Sequence, residues 1–126
     1  MPQVNYEAVV YRKSRPDKAV KTRFLDPKKP NYSVFLGHDN PMMVADTDVG
    51  NGRRVLLVKN SYGNPFAVFL LASFERVVVI DYRYFKKNFW TVLEEQEITD
   101  VVFLNGIITA GSHNHMKLVR FLNSRR

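Results

Sequence analysis

Ser61 is the residue with the clearest chemical opportunity in this chain. It follows an apolar run at Val55-Leu56-Leu57-Val58 and precedes an apolar segment that opens with Pro65. A serine between a strand and a helix presents its hydroxyl at a sheet end, with free backbone N–H groups behind it that can stabilise an oxyanion. Gly63 would let a substrate oxygen approach the backbone closely. The alternative is that Ser61 or Asn64 caps the helix. Asn105 follows a third apolar run, Val101-Val102-Phe103-Leu104, and precedes Gly106. Its side-chain amide could donate a second oxyanion hydrogen bond, or the pair could simply form a turn.

A serine hydroxyl needs a base, normally a histidine oriented by a carboxylate. The candidates are His38, beside Asp39, and His113 and His115, after the third run. None has Asp-x-His or Asp-x-x-His spacing, and each also reads as a turn or surface histidine. Two histidines in one loop do not make a metal site, and no metal or other cofactor is expected. Asp81 ends a second apolar run, Val77-Val78-Val79-Ile80, ahead of Tyr82-Arg83-Tyr84. It could bind a ligand, or pair with Arg83 or the backbone to fix the strand end. No phosphate loop or dinucleotide fingerprint is present.

The elements that must position these residues are most regular in the second half. Strands are expected at 54–59, 76–81 and 100–105. Helices are expected at 65–74 and 85–96, and a last helix at 115–122. Runs that are apolar on both faces and alternate with helices predict a parallel sheet, with ligands bound beyond the strand C-termini. Upstream, short strands are expected at 4–11, 32–36 and 42–45, and a turn at 48–52. Residues 12–30, rich in charge and broken by Pro16, Pro27 and Pro30, read as a long basic loop with one helical turn at 18–24. The expectation is a single domain over 1–126, with its regular α/β core at 54–122: a three-layer, mostly parallel sheet.

Bulk properties narrow the function classes. The chain has 126 residues, 45% of them hydrophobic and 13% aromatic, enough for one compact core. No apolar stretch is long enough to span a membrane as a helix, and the first residues lack a signal-peptide pattern. With no cysteine there is no disulfide, thiolate metal site or Cys nucleophile. The net charge is +7, and between Arg12 and Lys29 eight basic residues face only Asp17 and Asp26. Such a segment attracts anionic polymers or serves as a solvated connection. No nucleic-acid-binding motif accompanies it, so charge alone carries a nucleic-acid reading.

Four segments together resemble a known family. They are Tyr32-Ser33-Val34-Phe35-Leu36-Gly37, the run from Val58 through Asn60-Ser61-Tyr62-Gly63-Asn64 to Phe66, the run from Val79 through Asp81 to Phe85, and the run from Ile98 to Asn105. In order and spacing they resemble the C-terminal half of the bacterial DHHW family, relatives of the alginate O-acetylation proteins. The resemblance implies an SGNH-hydrolase-like fold, present here in part, and a bacterial cell-envelope setting. It also implies acyl transfer to, or ester hydrolysis of, acylated carbohydrate. Ser61 takes the place of the nucleophile and Asn105 that of an oxyanion contributor. Asn60 stands where an Asp is usual, and the family's upstream Asp-x-His block has no counterpart before Tyr32. The expectation is therefore little or no turnover by this chain alone. The competing expectation is a non-catalytic module that binds an anionic polymer or a protein partner through its basic surface. An exposed sheet edge would also allow self-association.

Overall fold

The computed structural model describes residues 5–25, 28, 40–59 and 64–104. They build a six-stranded sheet and two short helices. In chain order these are β1 (Tyr6–Arg12), β2 (Arg15–Thr22), β3 (Met42–Thr47), β4 (Arg54–Lys59), α1 (Asn64–Leu70), β5 (Arg76–Asp81), α2 (Phe89–Glu95) and β6 (Asp100–Leu104). The strand order is β2-β1-β3-β5-β4-β6. Only β4 with β5 and β4 with β6 are parallel; β1–β2, β1–β3 and β3–β5 are antiparallel.

The expected three-layer, mostly parallel, SGNH-like sheet is thus incorrect. The sheet is mixed, and the helices of this strand-dominated structure have only seven residues each. The apolar runs of β4 and β5 report burial on both faces but not strand direction, whereas that of β6 leaves Val101 and Phe103 exposed. β3 is buried at Met43, Val44 and Ala45, yet runs antiparallel to β5. The expected strand at 32–36 and helix at 115–122 lie outside the described residues, as does the part of the 54–122 core beyond Leu104.

The basic loop expected over 12–30, with its helical turn at 18–24, is also corrected. Residues Arg15–Thr22 form β2, an edge strand antiparallel to β1. Pro16 and the lysines suggested a loop, but an edge strand tolerates both. The pairing is interrupted: Val10 faces Val20 and Arg12 faces Arg15, so Pro16, Asp17, Lys18 and Ala19 stand opposite Tyr11 alone. Such a bulge bends the strand and redirects its side chains. Beyond β2, the fully buried Phe24 packs near Tyr6, with ring centroids 6.1 Å apart, and anchors the hairpin to the core.

Strand periodicity divides the core between the two faces of the sheet. Val55, Leu57, Val77 and Val79 point to one side and join Ala67, Val68 and Leu71 from α1 and the turn after it. Leu56, Val58, Val78 and Ile80 point to the other and join Phe89 and Val92 of α2. The β3–β4 turn uses Gly50 and Gly52 at φ of 60° and 74°, the left-handed region expected of this glycine-rich stretch. The Asn88 carboxamide oxygen caps α2 by accepting from Trp90 N at 2.7 Å and Thr91 N at 3.4 Å.

Leu57 is fully buried on β4, the strand flanked by both parallel neighbours. Leu57→Ala should lower the unfolding free energy by about 2–5 kcal/mol. Lys18→Ala, on the exposed edge strand, should change it by less than about 0.5 kcal/mol. Urea denaturation of both variants checks the contrast.

Candidate functional site

The parallel half of the sheet sets the site. The chain runs from β4 through α1 to β5 on one flank, then through α2 to β6 on the other flank of β4. In open sheets this reversal opens a crevice beyond the C-terminal ends of the diverging strands, here β4 and β6. Lys59, the last residue of β4, is in register with both Asp81 of β5 and Leu104 of β6. The three strands therefore stop at one level, and residues 60 and 105 are the next in the chain after two of them.

At this rim Asp81 is fully buried and Lys59 is 1% exposed. The Asp81 carboxylate accepts from Arg83 Nε at 2.9 Å and from Arg83 Nη2 at 2.6 Å, a bidentate fork. Lys59 Nζ donates to Asp81 Oδ2 at 3.5 Å, and the Arg83 backbone N–H donates to Oδ1 at 3.1 Å. The Asp81 carbonyl accepts from Tyr84 N and Phe85 N, each at 3.0 Å. The partnership with Arg83 and the backbone that was weighed for Asp81 is present in the structure. It fixes the end of β5 and the turn that follows.

The remaining sequence-derived candidates, Ser61, Gly63, Asn105, His38, His113 and His115, lie outside the described residues. Among the described residues no group of three or more His, Cys, Asp or Glu could hold a metal ion. Nor is any helix among them long and apolar enough to cross a membrane. Arg83 was anticipated as a partner of Asp81, whereas Lys59 was missed as a site-forming residue. A signal existed: Lys59 and Asp81 each end a strand immediately after a four-residue apolar run, so parallel pairing brings opposite charges together.

Removing one partner of a buried ion pair strands the other charge, at a cost of about 3–5 kcal/mol. Asp81→Ala should therefore destabilise the chain by roughly that amount. Lys59→Met should cost less, because the Arg83 fork still satisfies the carboxylate. Equal losses in urea denaturation would show that Lys59, and not the fork, dominates the rim.

Comparisons with known proteins follow the fold closely. No curated protein matches this chain. The chain is similar to the crystal structure of a DHHW family protein from Eubacterium siraeum, with a TM-score of 0.85 and 30% sequence identity. That match covers 99% of this chain and 43% of that one. It is also similar in fold to Bacillus cereus PatB1, with a TM-score of 0.69 at 16% identity, covering 82% of this chain and 36% of that one. A second PatB1 structure, with a sulfonyl adduct, gives 0.67 at 17% identity, covering 79% and 37%. The chain thus spans less than half the length of these three structures. The DHHW protein family itself matches residues 20–80, from β2 to the penultimate residue of β5.

Proposed function

We propose that this chain is a DHHW family domain from a protein of bacterial carbohydrate acyl-ester chemistry, with Ser61 as nucleophile and Asn105 as an oxyanion donor. The observation that carries the reading is the shared register of Lys59 and Leu104, which end neighbouring parallel strands. Ser61 is two residues beyond the first and Asn105 one beyond the second. In the proposed reaction the Ser61 oxygen attacks the ester carbonyl carbon. The carbonyl oxygen takes the negative charge and is held by backbone N–H groups and the Asn105 amide. The alcohol then leaves with a proton, and water or a second hydroxyl releases the acyl group. Gly63 allows close approach of the substrate. The base must take the Ser61 proton, and only His38, His113 and His115 are candidates within this chain.

Lacking an Asp-x-His block, the chain alone should hydrolyse p-nitrophenyl acetate no faster than its Ser61→Ala variant. Substantial Ser61-dependent hydrolysis would overturn that expectation and identify a base among the three histidines. If the gene continues upstream in frame into an Asp-x-His block, the longer protein tests the nucleophile itself. There Ser61→Ala should lower ester turnover by roughly a thousandfold or more. Retained turnover in that variant would remove Ser61 from the chemistry. A sulfonyl fluoride gives an independent readout, since sulfonyl electrophiles add to activated nucleophiles. The longer protein should gain one adduct, located at Ser61 by peptide mass mapping.

A further inference from the structure

The two edges of the sheet are built differently. β2 is guarded by Pro16, by Lys18 and Lys21, and by the bulge opposite Tyr11. β6, at the other edge, runs Asp100-Val101-Val102-Phe103-Leu104, with no proline, lysine or arginine, and pairs with β4 without a register shift. Among the described residues no strand lies beyond it, so it presents outward N–H and C=O groups along a regular edge.

The side chains along this edge are apolar. Val101 is 37% exposed and Phe103 48%. The Phe89 ring of α2 lies 6.4 Å from that of Phe103 and 5.3 Å from that of Trp90, which is itself exposed. The three rings therefore carry one apolar surface from the strand onto the helix. On the opposite face Val102 and Leu104 are only partly buried. The hollows of the sheet lie elsewhere. One is a cleft of about 400 Å³ beneath the β1–β2 hairpin tip, with Lys13, Asp17 and Arg83 on its walls, and the other is lined by Asn5, Tyr6 and Arg23.

We propose that β6 is a homodimer interface, at which two copies of this chain join edge to edge and antiparallel into one continuous sheet. A two-fold axis through Val102 keeps all five residues of the strand paired. It sets Val101 against Phe103 of the partner subunit, and Phe103 against Val101 of the partner subunit. Such aromatic and β-branched cross-strand pairs are favourable, whereas in-register parallel pairing would set two Asp100 carboxylates opposite each other.

Charge selects this edge over the other. Each chain carries +7, and β2 holds Arg15, Lys18 and Lys21 against Asp17 alone. Joined at β6, the two copies keep their β2 strands about 50 Å apart, well beyond the screening length of about 8 Å. A contact between two β2 edges would bring those charges together. A β6-to-β2 contact would leave a free edge at each end and grow as a filament. The strand with Phe103 and Trp90 offers a footprint of about 1,000 Å² over both copies, the lower end for a specific interface. The dimer should therefore form at roughly micromolar concentration. It does not depend on the ester chemistry proposed above.

The test is sedimentation equilibrium of the full 126-residue chain over a wide concentration range, with amide hydrogen exchange at the same concentrations. A monomer–dimer equilibrium is expected, and exchange within Val101–Phe103 should slow as concentration rises. Val101→Lys and Phe103→Lys add the guard that β6 lacks, and each should weaken dimerisation at least tenfold with an unchanged circular dichroism spectrum. Lys18→Ala, on β2, should leave it unaltered. A monomer at every concentration would overturn the proposal, as would β6 exchange that is independent of concentration, the result expected if residues 105–126 of the same chain cover the edge. A dimer that resists both lysine variants, or larger assemblies that grow with concentration, would overturn it too.

Discussion

A carboxylate cannot be buried without partners, and that constraint organises the carboxyl rim of this sheet. Asp81 is fully out of solvent at the end of β5. Desolvating an unpaired charge there would cost several kcal/mol. Arg83 meets the demand from two residues along the chain, in a planar fork, and Lys59 meets it from the neighbouring strand. Lys59 reaches only because β4 and β5 pair in the register that sets it opposite Asp81. A slip of one residue would separate the charges and turn Leu56 and Leu57 to the wrong faces. Charge and hydrophobic pattern therefore select the same register, and that register places the residues following β4 and β6 at one level.

The rest of the sheet extends from this parallel unit by another principle. β3 lies antiparallel against β5, and the β1–β2 hairpin continues outward from β3. Parallel strands need crossovers, and α1 and α2 cover opposite faces of the sheet where they occur. The outer strand β2 is guarded by exposed Lys18 and Lys21, by Pro16 and by its bulge, all of which oppose pairing with another chain. β6, at the other edge, exposes Val101 and Phe103.

The contrast between these halves explains what the sequence disclosed. Val55 to Val58, Val77 to Ile80 and Val101 to Leu104 were legible as strands because β-prone residues fill both faces without a break. The helices were legible from Pro65 and from the spacing of Phe89, Val92 and Leu93, although each proved shorter than expected. β2 was illegible because most of its residues are exposed and half of them are charged. Its pairing is dictated by β1 and the anchor at Phe24, which are tertiary facts. The mixed direction of the sheet was hidden for the same reason, since Met43-Val44-Ala45 reads alike in either orientation. At the rim, Asp81 was recognised but its buried partner Lys59 was not. A lysine at the end of an apolar run looks like a solvated terminus until the neighbouring strand is placed beside it.

Arg83 joins the carboxyl rim to the cleft beside it. One side of its turn secures Asp81, and the other lines the cleft beneath the hairpin tip. Neighbouring strands in a sheet are about 4.8 Å apart, so β3, beside the cleft, is roughly 12 Å from the boundary between β4 and β6. On the proposed reading an ester would meet the domain at that boundary. The ion pairs that Lys59 and Arg83 make with the buried Asp81 hold the ends of β4 and β5 at one level there.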